Sequence, residues 1–262
     1  MKFEKLQSLG NDFLVLVNPV EHPSTALIKR LGDRRVGVGF DQLLVIEEIA
    51  TAHWRYSIYN QDGSEAEQCL NGARSVGYLL YRQRGIKKLT LTTVSEDLLV
   101  SIMPDERIQV MLKWPSLIER VAEGWFYSVG NPHWVIDLTE QAWTKAAIQE
   151  RYQQRPVNVS GVFRHTPGRI SLCTYERGVG FTHACGSACV ATFAALYDNG
   201  LCEPTLTILQ KGGMASMTKI NQSVTFEGNA SWVYSGELAS AEQILYQGAS
   251  RQNREHGCKE IL

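Results

Sequence analysis

The chain has 262 residues, of which 44% are hydrophobic, and its formal net charge is −1. This length fits one large domain or two of ordinary size, with apolar residues enough for a substantial core. The small net charge gives no reason to expect nucleic acid or a membrane surface as a partner. No apolar run reaches the roughly 18 residues of a membrane span, and 1–5 lacks the apolar region of a signal peptide, so we expect a cytoplasmic protein.

Short β-branched and aromatic runs predict many strands. In chain order they cover 13–17, 43–46, 56–59, 89–94, 108–112, 134–136, 170–175, 205–209 and 223–226. Apolar residues at helical spacing are fewer. They predict helices at 24–31, where Ser24 is the N-cap, at 71–81, at 141–153, and at 187–198, which ends at Asn199-Gly200.

Two segments share one pattern. In 67–74 (EQCLNGAR) and in 183–190 (HACGSACV), a cysteine precedes a short Gly, Asn or Ser cluster that continues into an apolar helix. A thiol at a helix N-terminus lies near the positive end of the dipole, so we expect a lowered thiol pKa there. The free amides of such a terminus also bind carboxylates. Two facing thiols around one bound anion suit removal of a proton from one face of a carbon and its return to the other.

The two halves of the chain correspond in order. Each has strands, then a cysteine segment that opens a helix, then further strands. We therefore predict an α+β fold of two similar domains, 1–117 and 118–248, each a mixed sheet around a central helix, with the site between them. The remaining residues, 249–262, form a polar tail.

The six cysteines could suggest disulfides or a metal site. The chain lacks an export signal and has core enough without cross-links, so we expect reduced thiols. Cys185 and Cys189 have a tolerable spacing for zinc, but no second ligand pair follows them. The sequence therefore predicts no metal, and it contains no lysine motif typical of pyridoxal phosphate, so no cofactor is expected.

Several further motifs surround the two cysteine segments in a fixed order. They are LGNDF at 9–13, GVGFDQLL at 37–44, NQDGSE at 60–65, GNPH at 130–133 and YERG at 175–178. Together with the cysteine segments, this ordered set resembles the diaminopimelate epimerases, a family of amino-acid racemases that do not use pyridoxal phosphate. The resemblance extends from Met1 to about Gly248.

The resemblance implies that the chain epimerises L,L-diaminopimelate to the meso form, in lysine and peptidoglycan precursor biosynthesis. Its partner would be this small amino acid, and a homodimer is a family-level expectation. Cys69 and Cys185 match the thiolate base and thiol acid, which exchange roles in the reverse direction. His133 and Glu176 match groups that take protons from the thiols.

The other matching positions bind substrate. Asn11 and Gln42 match contacts to the reacting end, and an Arg–carboxylate pair with amide side chains suits the distal end. Backbone amides at the two helix N-termini would hold the reacting carboxylate. The distal group comprises Asn60, Asn131, Asn158, Glu176 and Arg177, and the amides belong to Leu70, Asn71, Gly72, Gly186 and Ser187.

Four positions depart from the family pattern close to the reacting centre. Leu70 and Ala188 replace glycines, Phe181 replaces an acidic residue, and Ser8 replaces another glycine. Leu70 would be strained if its position required a positive φ. Alternatives therefore remain: a two-cysteine racemase for another amino acid such as histidine, an isomerase of similar fold, a non-catalytic amino-acid-binding relative, or a thiol redox sensor.

Overall fold

The computed structural model describes residues 1–140, 144–155, 157–177 and 179–238. The predicted polar tail, 249–262, lies outside these ranges, as do positions 141–143 of a predicted helix. Within them, no helix is long and apolar enough to cross a membrane.

The first half of the chain alternates strands with two helices. The strands are β1 (Lys2–Ser8), β2 (Asn11–Val17), β3 (Gln42–Ala50), β4 (His53–Asn60), β5 (Lys88–Thr92), β6 (Asp97–Ile102), β7 (Ile108–Lys113) and β8 (Ser116–Val121). Helix α1 (Thr25–Gly32) follows β2, and helix α2 (Leu70–Arg84) follows β4.

The second half has the same alternation. Its strands are β9 (Gly124–Ser128), β10 (Pro132–Asp137), β11 (Asn158–Thr166), β12 (Arg169–Glu176), β13 (Gly180–Phe181), β14 (Thr205–Gln210), β15 (Gly213–Ile220), β16 (Ser223–Gly228) and β17 (Ser231–Glu237). Helix α3 (Lys145–Gln154) follows β10, and helix α4 (Gly186–Asp198) follows β13.

Strand pairing repeats between the halves. β2 runs parallel to β3, β3 antiparallel to β4, and β4 parallel to β5, and the chain then turns back through β6 and β7. β10, β11, β12, β14, β15 and β16 repeat this sequence of parallel and antiparallel pairs. The α+β fold with two similar halves is therefore confirmed.

Among the described strands, three pairings connect the halves. β7 pairs with β16, β8 pairs with β9, and β17 returns to pair with β1. The predicted boundary at 117 falls inside β8, and β17 completes the sheet of the first half although it lies within 118–248. The two domain ranges stay a prediction.

Local sequence signals explain where the helices begin and end. The Ser24 hydroxyl accepts a hydrogen bond from the Leu27 amide at 3.3 Å, which confirms Ser24 as the N-cap of α1. α2 ends where Gly85 adopts a φ of +68° and its amide bonds to the Tyr81 carbonyl. Gly200 has the same φ just beyond α4. The helices predicted at 24–31, 71–81 and 187–198 are confirmed.

Helix α2 packs against strands of the first half and against β17, and helix α4 packs against strands of the second half. α2 contacts β1, β2, β5, β6, β7 and β17, and α4 contacts β9, β10, β11 and β16. Their apolar residues belong to one continuous core, which includes Val76 and Leu80 of α2 and Phe193 of α4. The burial fixes both helices rigidly, and it therefore fixes the position of their N-termini.

Candidate active site

The N-termini of α2 and α4 meet. Cys69 is the N-cap of α2 and Cys185 is the N-cap of α4, both with extended backbone. A Cβ added to Gly186 would lie 2.9 Å from Leu70 Cβ and 3.3 Å from Asn71 Oδ1. The two cysteine segments therefore lie side by side, with their helix N-termini at one site.

Cys69 is half-buried and caps its own helix. Its sulfur accepts a hydrogen bond from the Gly72 amide at 3.3 Å, and its carbonyl accepts one from the Tyr56 hydroxyl at 3.0 Å. The Tyr56 hydroxyl occupies the space that a Cβ on Gly72 would need, and Leu44 Cδ1 lies 3.1 Å from that position. Glycine at 72 thus lets Tyr56 hold the Cys69 backbone.

Cys185 is buried beside an acid. Its sulfur lies 3.5 Å from the Ser187 hydroxyl, and the Glu176 carboxylate acts on it electrostatically. The Thr182 hydroxyl donates a hydrogen bond to Glu176 Oε1. β12 and β13 thus bring a carboxylate to the second thiol.

Burial dominates the ionisation of this site. It raises the pKa of Cys69 to about 12, although the Gly72 amide acts in the opposite direction. Burial and the nearby Glu176 raise the pKa of Cys185 well above its usual value, and burial also raises the pKa of Glu176. The expected lowering of the thiol pKa by the helix N-termini is wrong here, because desolvation outweighs the amide hydrogen bonds.

His133 is fully buried and neutral. Its Nε2 lies 3.1 Å from Asn131 Oδ1, and desolvation lowers its pKa to about 3. Donation from Nε2 to the amide oxygen leaves Nδ1 as an acceptor, and Nδ1 has no partner among the described residues. The ring therefore stays neutral near pH 7, with one nitrogen available as a hydrogen-bond acceptor.

Three predicted binding residues lie together at neighbouring strand ends in the first half. Asn11, Gln42 and Asn60 lie at the ends of β2, β3 and β4, which share this edge because β2 and β3 are parallel and β4 is antiparallel. Gln42 Nε2 donates to Asn60 Oδ1 at 3.1 Å. Asn71 Nδ2 lies 3.5 Å from Asn11 Oδ1, which joins this edge to the N-terminus of α2.

The strands of the second half present a matching group of residues at their ends. His133 pairs with Asn158 across β10 and β11, and Asn158 Oδ1 accepts a hydrogen bond from the Arg177 amide at 2.9 Å. The Arg177 side chain is exposed. The predicted site residues thus lie at the two helix N-termini and the two sheet edges next to them.

The sequence analysis missed several residues that support the site. Asp41 Oδ2 accepts from Asn11 Nδ2 at 2.8 Å, and Arg34 binds the other oxygen of that carboxylate. Arg74 of α2 donates to Asn71 Oδ1 at 2.7 Å. A charged residue on the buried face of an apolar helix was the available signal for Arg74.

The four residues that depart from the family pattern are accommodated without backbone strain. Leu70 is the first residue of α2, has no positive φ, and is 1% exposed. Phe181 packs edge-on against Tyr175 at 4.9 Å between ring centroids. Ala188 is buried in α4, and Ser8 is buried beside Arg74. These substitutions change packing around the site and leave both thiols in place.

The chain is similar to known proteins in sequence and in fold. The family model of diaminopimelate epimerase matches residues 3–118. The diaminopimelate epimerase of Rickettsia akari (strain Hartford) is 32% identical over 263 residues, which cover 90% of this chain and 97% of that protein.

Two solved structures share the fold. A predicted epimerase from Pseudomonas aeruginosa aligns with a TM-score of 0.73 at 14% identity, covering 91% of this chain and 99% of that one. A hydroxyproline epimerase from Agrobacterium vitis aligns with a TM-score of 0.65 at 12% identity, covering 90% and 91%. From the sequence relatives, this chain belongs to the diaminopimelate epimerase family of amino-acid isomerases.

Proposed function

We propose that this enzyme converts L,L-diaminopimelate to meso-diaminopimelate by two-thiol proton transfer, without a cofactor. The observation that carries the proposal is the meeting of two cysteine-capped helix N-termini at Gly186 and Leu70. Backbone amides at both ends are suited to a carboxylate, which leaves the attached α-carbon between the two sulfurs. The product is a precursor of lysine and peptidoglycan.

The proposed chemistry is one proton exchange. One cysteine, as thiolate, removes the α-proton and becomes a thiol, and its electron pair at sulfur forms the new S–H bond. The carbanionic electron pair stays on the α-carbon, stabilised through the carboxylate by amides of both helix N-termini. The opposite cysteine then gives its proton to the other face of the carbon and becomes the thiolate.

Each thiol needs an acceptor for its proton, because burial favours the neutral thiol. Glu176 is the acidic neighbour of Cys185 and can take its proton, since burial raises the pKa of this carboxylate toward that of a useful base. By its position in the family pattern, His133 is the corresponding partner of Cys69 in the proposal, with its Nδ1 as a hydrogen-bond acceptor for the thiol. The two thiols titrate as a pair, since two thiolates in one buried site would repel.

The distal end of the substrate defines its specificity. Diaminopimelate carries a second ammonium and a second carboxylate at a fixed distance from the reacting carbon. In the proposal, the exposed Arg177 binds that carboxylate, and the amide side chains at Asn60, Asn131 and Asn158 hold the zwitterion with Glu176. A substrate without a distal carboxylate would leave Arg177 unpaired, which disfavours histidine as the substrate.

Proton NMR in D₂O tests this proposal directly. Purified, reduced protein is incubated separately with L,L-diaminopimelate, L-histidine, L-lysine and L-glutamate, and the α-proton signal of each is followed. We expect loss of the signal with diaminopimelate alone. Loss with another amino acid would retain the two-thiol chemistry and reject the substrate. Absence of exchange with every amino acid, from folded protein with titratable thiols, would support a binding protein instead.

A further inference from the structure

Gln210, the last residue of β14, holds the backbone at the start of α4. Its Nε2 donates to the Cys185 carbonyl at 3.4 Å, and its Oε1 accepts a hydrogen bond from the Cys189 thiol at 3.2 Å. The same carbonyl also accepts the first helical hydrogen bond of α4, from the Cys189 amide at 3.1 Å. Gln210 thus supplies the second donor to a carbonyl oxygen that can accept two hydrogen bonds.

The thiol of Cys189 fixes which way the Gln210 amide faces. Burial raises the pKa of Cys189 to about 12, so this thiol keeps its proton and acts as a donor. Gln210 therefore presents Oε1 to the thiol and Nε2 to the Cys185 carbonyl, which can only accept. The two-thiol chemistry does not use Cys189, so this contact gives the buried thiol a role of its own.

The rest of the turn between β14 and β15 anchors the same stretch of chain. The Gly212 amide donates to the His183 carbonyl at 2.8 Å, two residues before Cys185. A Cβ on Gly212 would lie 1.8 Å from the Leu9 carbonyl oxygen, so only glycine fits between the two segments. The turn at 210–213 is therefore fixed against the loop at Leu9, and it holds the chain before α4 at two carbonyls.

Tyr56 makes the corresponding contact in the first half. Its hydroxyl donates to the Cys69 carbonyl at 3.0 Å, and that carbonyl also accepts the first helical hydrogen bond of α2, from the Ala73 amide at 2.9 Å. The two side-chain donors lie on β4 and β14, strands that do not correspond in the repeat. Two different residue types thus reach the same backbone atom, the carbonyl of a cysteine that precedes a helix.

A carbonyl that is held in place also fixes the amide that follows it. In a trans peptide unit the C=O and the N–H point in opposite directions, so the donor on the Cys185 carbonyl fixes the direction of the Gly186 N–H. The Leu70 N–H is fixed in the same way through the Cys69 carbonyl. Both N–H groups lie in the first turn of a helix, where amides have no intrahelical acceptor. A donor at the carbonyl also polarises the peptide unit, which strengthens its N–H as a donor.

We propose that Gln210, oriented by the Cys189 thiol, is a positioning residue that fixes the peptide unit between Cys185 and Gly186 and so the amide that binds the reacting carboxylate. The inference rests on the two-thiol function proposed above, in which the Gly186 amide is one donor to that carboxylate. Negative charge on the carboxylate grows as the α-proton leaves, so a fixed and polarised amide stabilises the transition state more than the bound substrate. Loss of Gln210 should therefore lower kcat more than it changes KM.

Amide hydrogen exchange tests the contact without any substrate. The amides of Cys189 and Ala73 donate to the two held carbonyls, and mass spectrometry with peptide fragmentation measures the exchange rate of each. Gln210→Met keeps the length of the side chain and removes the donor, and Tyr56→Phe removes the donor at the other carbonyl. Gln222→Met, at an exposed residue in the next turn between strands, is the matched control.

We expect Gln210→Met to accelerate exchange of the Cys189 amide about fivefold, the effect of one lost neutral hydrogen bond, and to leave the Ala73 amide unchanged. Tyr56→Phe should do the reverse, and Gln222→Met should change neither amide. Unchanged Cys189 exchange in Gln210→Met would overturn the proposal. Equal acceleration at both amides would also overturn it, because that result indicates general destabilisation. If Gln210→Met does not fold, Gln210→Leu replaces it, since leucine also lacks the donor.

Steady-state kinetics measure the positioning role itself. Gln210→Met should lower kcat for diaminopimelate about fivefold, with KM changed by less than about twofold. Cys189→Ala removes the thiol that orients Gln210 and should also lower kcat, whereas Cys189→Ser keeps a donor and should retain the wild-type value. A wild-type kcat in Gln210→Met would overturn the proposal, and so would equal losses in Cys189→Ala and Cys189→Ser.

The two measurements separate this inference from the proposed function. Faster Cys189 amide exchange in Gln210→Met, together with no α-proton exchange on any amino acid by the wild type, would reject the epimerase function and uphold the anchoring of α4 by Gln210. Wild-type turnover of diaminopimelate, with unchanged Cys189 amide exchange and unchanged kcat in Gln210→Met, would uphold the function and overturn this inference.

Discussion

Gly186 of α4 lies against Leu70 of α2, so closely that a Cβ on Gly186 would stand 2.9 Å from the Leu70 Cβ. Side chains do not approach so closely without movement of one backbone or the other. Glycine at 186 is therefore what allows a helix that begins with leucine to meet its partner. The contact holds the two cysteine-capped N-termini at one site.

A double-mutant cycle tests this contact. Gly186→Ala should lower the free energy of unfolding by about 1–3 kcal/mol through overpacking. Leu70→Gly also destabilises, because a buried side chain is lost, but it removes the clashing atom. The double variant should therefore be more stable than the sum of the two losses predicts, as measured by urea unfolding.

Gly200→Ala provides the matched control for that cycle. Gly200 also lies at the end of a helix, and a Cβ there would meet no atom within 4 Å. Its combination with Leu70→Gly should be additive to about 0.5 kcal/mol. Additivity in the Gly186 cycle as well would contradict the contact.

His133 makes stability depend on pH. Its pKa is lowered from 6.5 to about 3 in the folded protein by desolvation, so the unfolded chain binds the proton more readily. The contribution of the neutral His133 to the free energy of unfolding is complete above pH 6.5 and is lost as the pH falls toward the folded-state pKa. The loss between pH 7.5 and pH 5 is about 2 kcal/mol.

The measurement is urea unfolding of the wild type and His133→Asn at both pH values. The variant is less stable at pH 7.5, but it should lose about 2 kcal/mol less than the wild type on acidification. Equal losses in both proteins would show that His133 is not the titrating group.

Asp41 orients the side-chain amide of Asn11, a proposed substrate contact. Its Oδ2 accepts from Asn11 Nδ2 at 2.8 Å, which turns Asn11 Oδ1 toward the site. Asp41→Asn weakens this hold and should lower kcat/KM for diaminopimelate by about tenfold, the effect of a lost charge-assisted hydrogen bond. Asp105→Asn is the control, since Asp105 pairs locally with Arg107. A similar loss in both variants would contradict a specific role for Asp41.

Arg177 should determine the affinity for the distal carboxylate. Arg177→Ala should raise KM for diaminopimelate at least about tenfold, because one charged hydrogen-bond pair is removed. Arg169→Ala, at the exposed arginine that begins β12, should leave KM unchanged. The distal assignment is wrong if initial-rate kinetics give the same KM for wild type and Arg177→Ala.

The ordered motifs predicted the family and most of the central elements because each motif combines a turn or cap with an apolar run. Strands β8 and β17 were missed because most of their residues are exposed and carry no alternating pattern. β11 was missed because Gly161 and polar residues interrupt its apolar run. Sequence periodicity reports burial, so it does not identify strands that bury little.

Site chemistry was less predictable than site composition. The motif residues could be named individually, but the buried Arg74 and the carboxylate of Asp41 form hydrogen bonds with residues that lie far away in sequence. The predicted direction of the thiol pKa shift was wrong, because the shift depends on desolvation, which only the packed site reveals. Burial, and contacts between residues far apart in sequence, depend on the whole fold and are not visible in a local motif.

The most direct test of the two-thiol mechanism follows deuterium during the first turnovers in D₂O. When two different groups remove and return the proton, the meso product carries deuterium at the inverted carbon, while the unreacted L,L-diaminopimelate stays unlabelled. Mass spectrometry of the separated isomers at less than about 5% conversion measures both, since this limits back-reaction. We expect label in the product alone. Equal early labelling of substrate and product would show that one group does both steps, and it would contradict paired roles for Cys69 and Cys185.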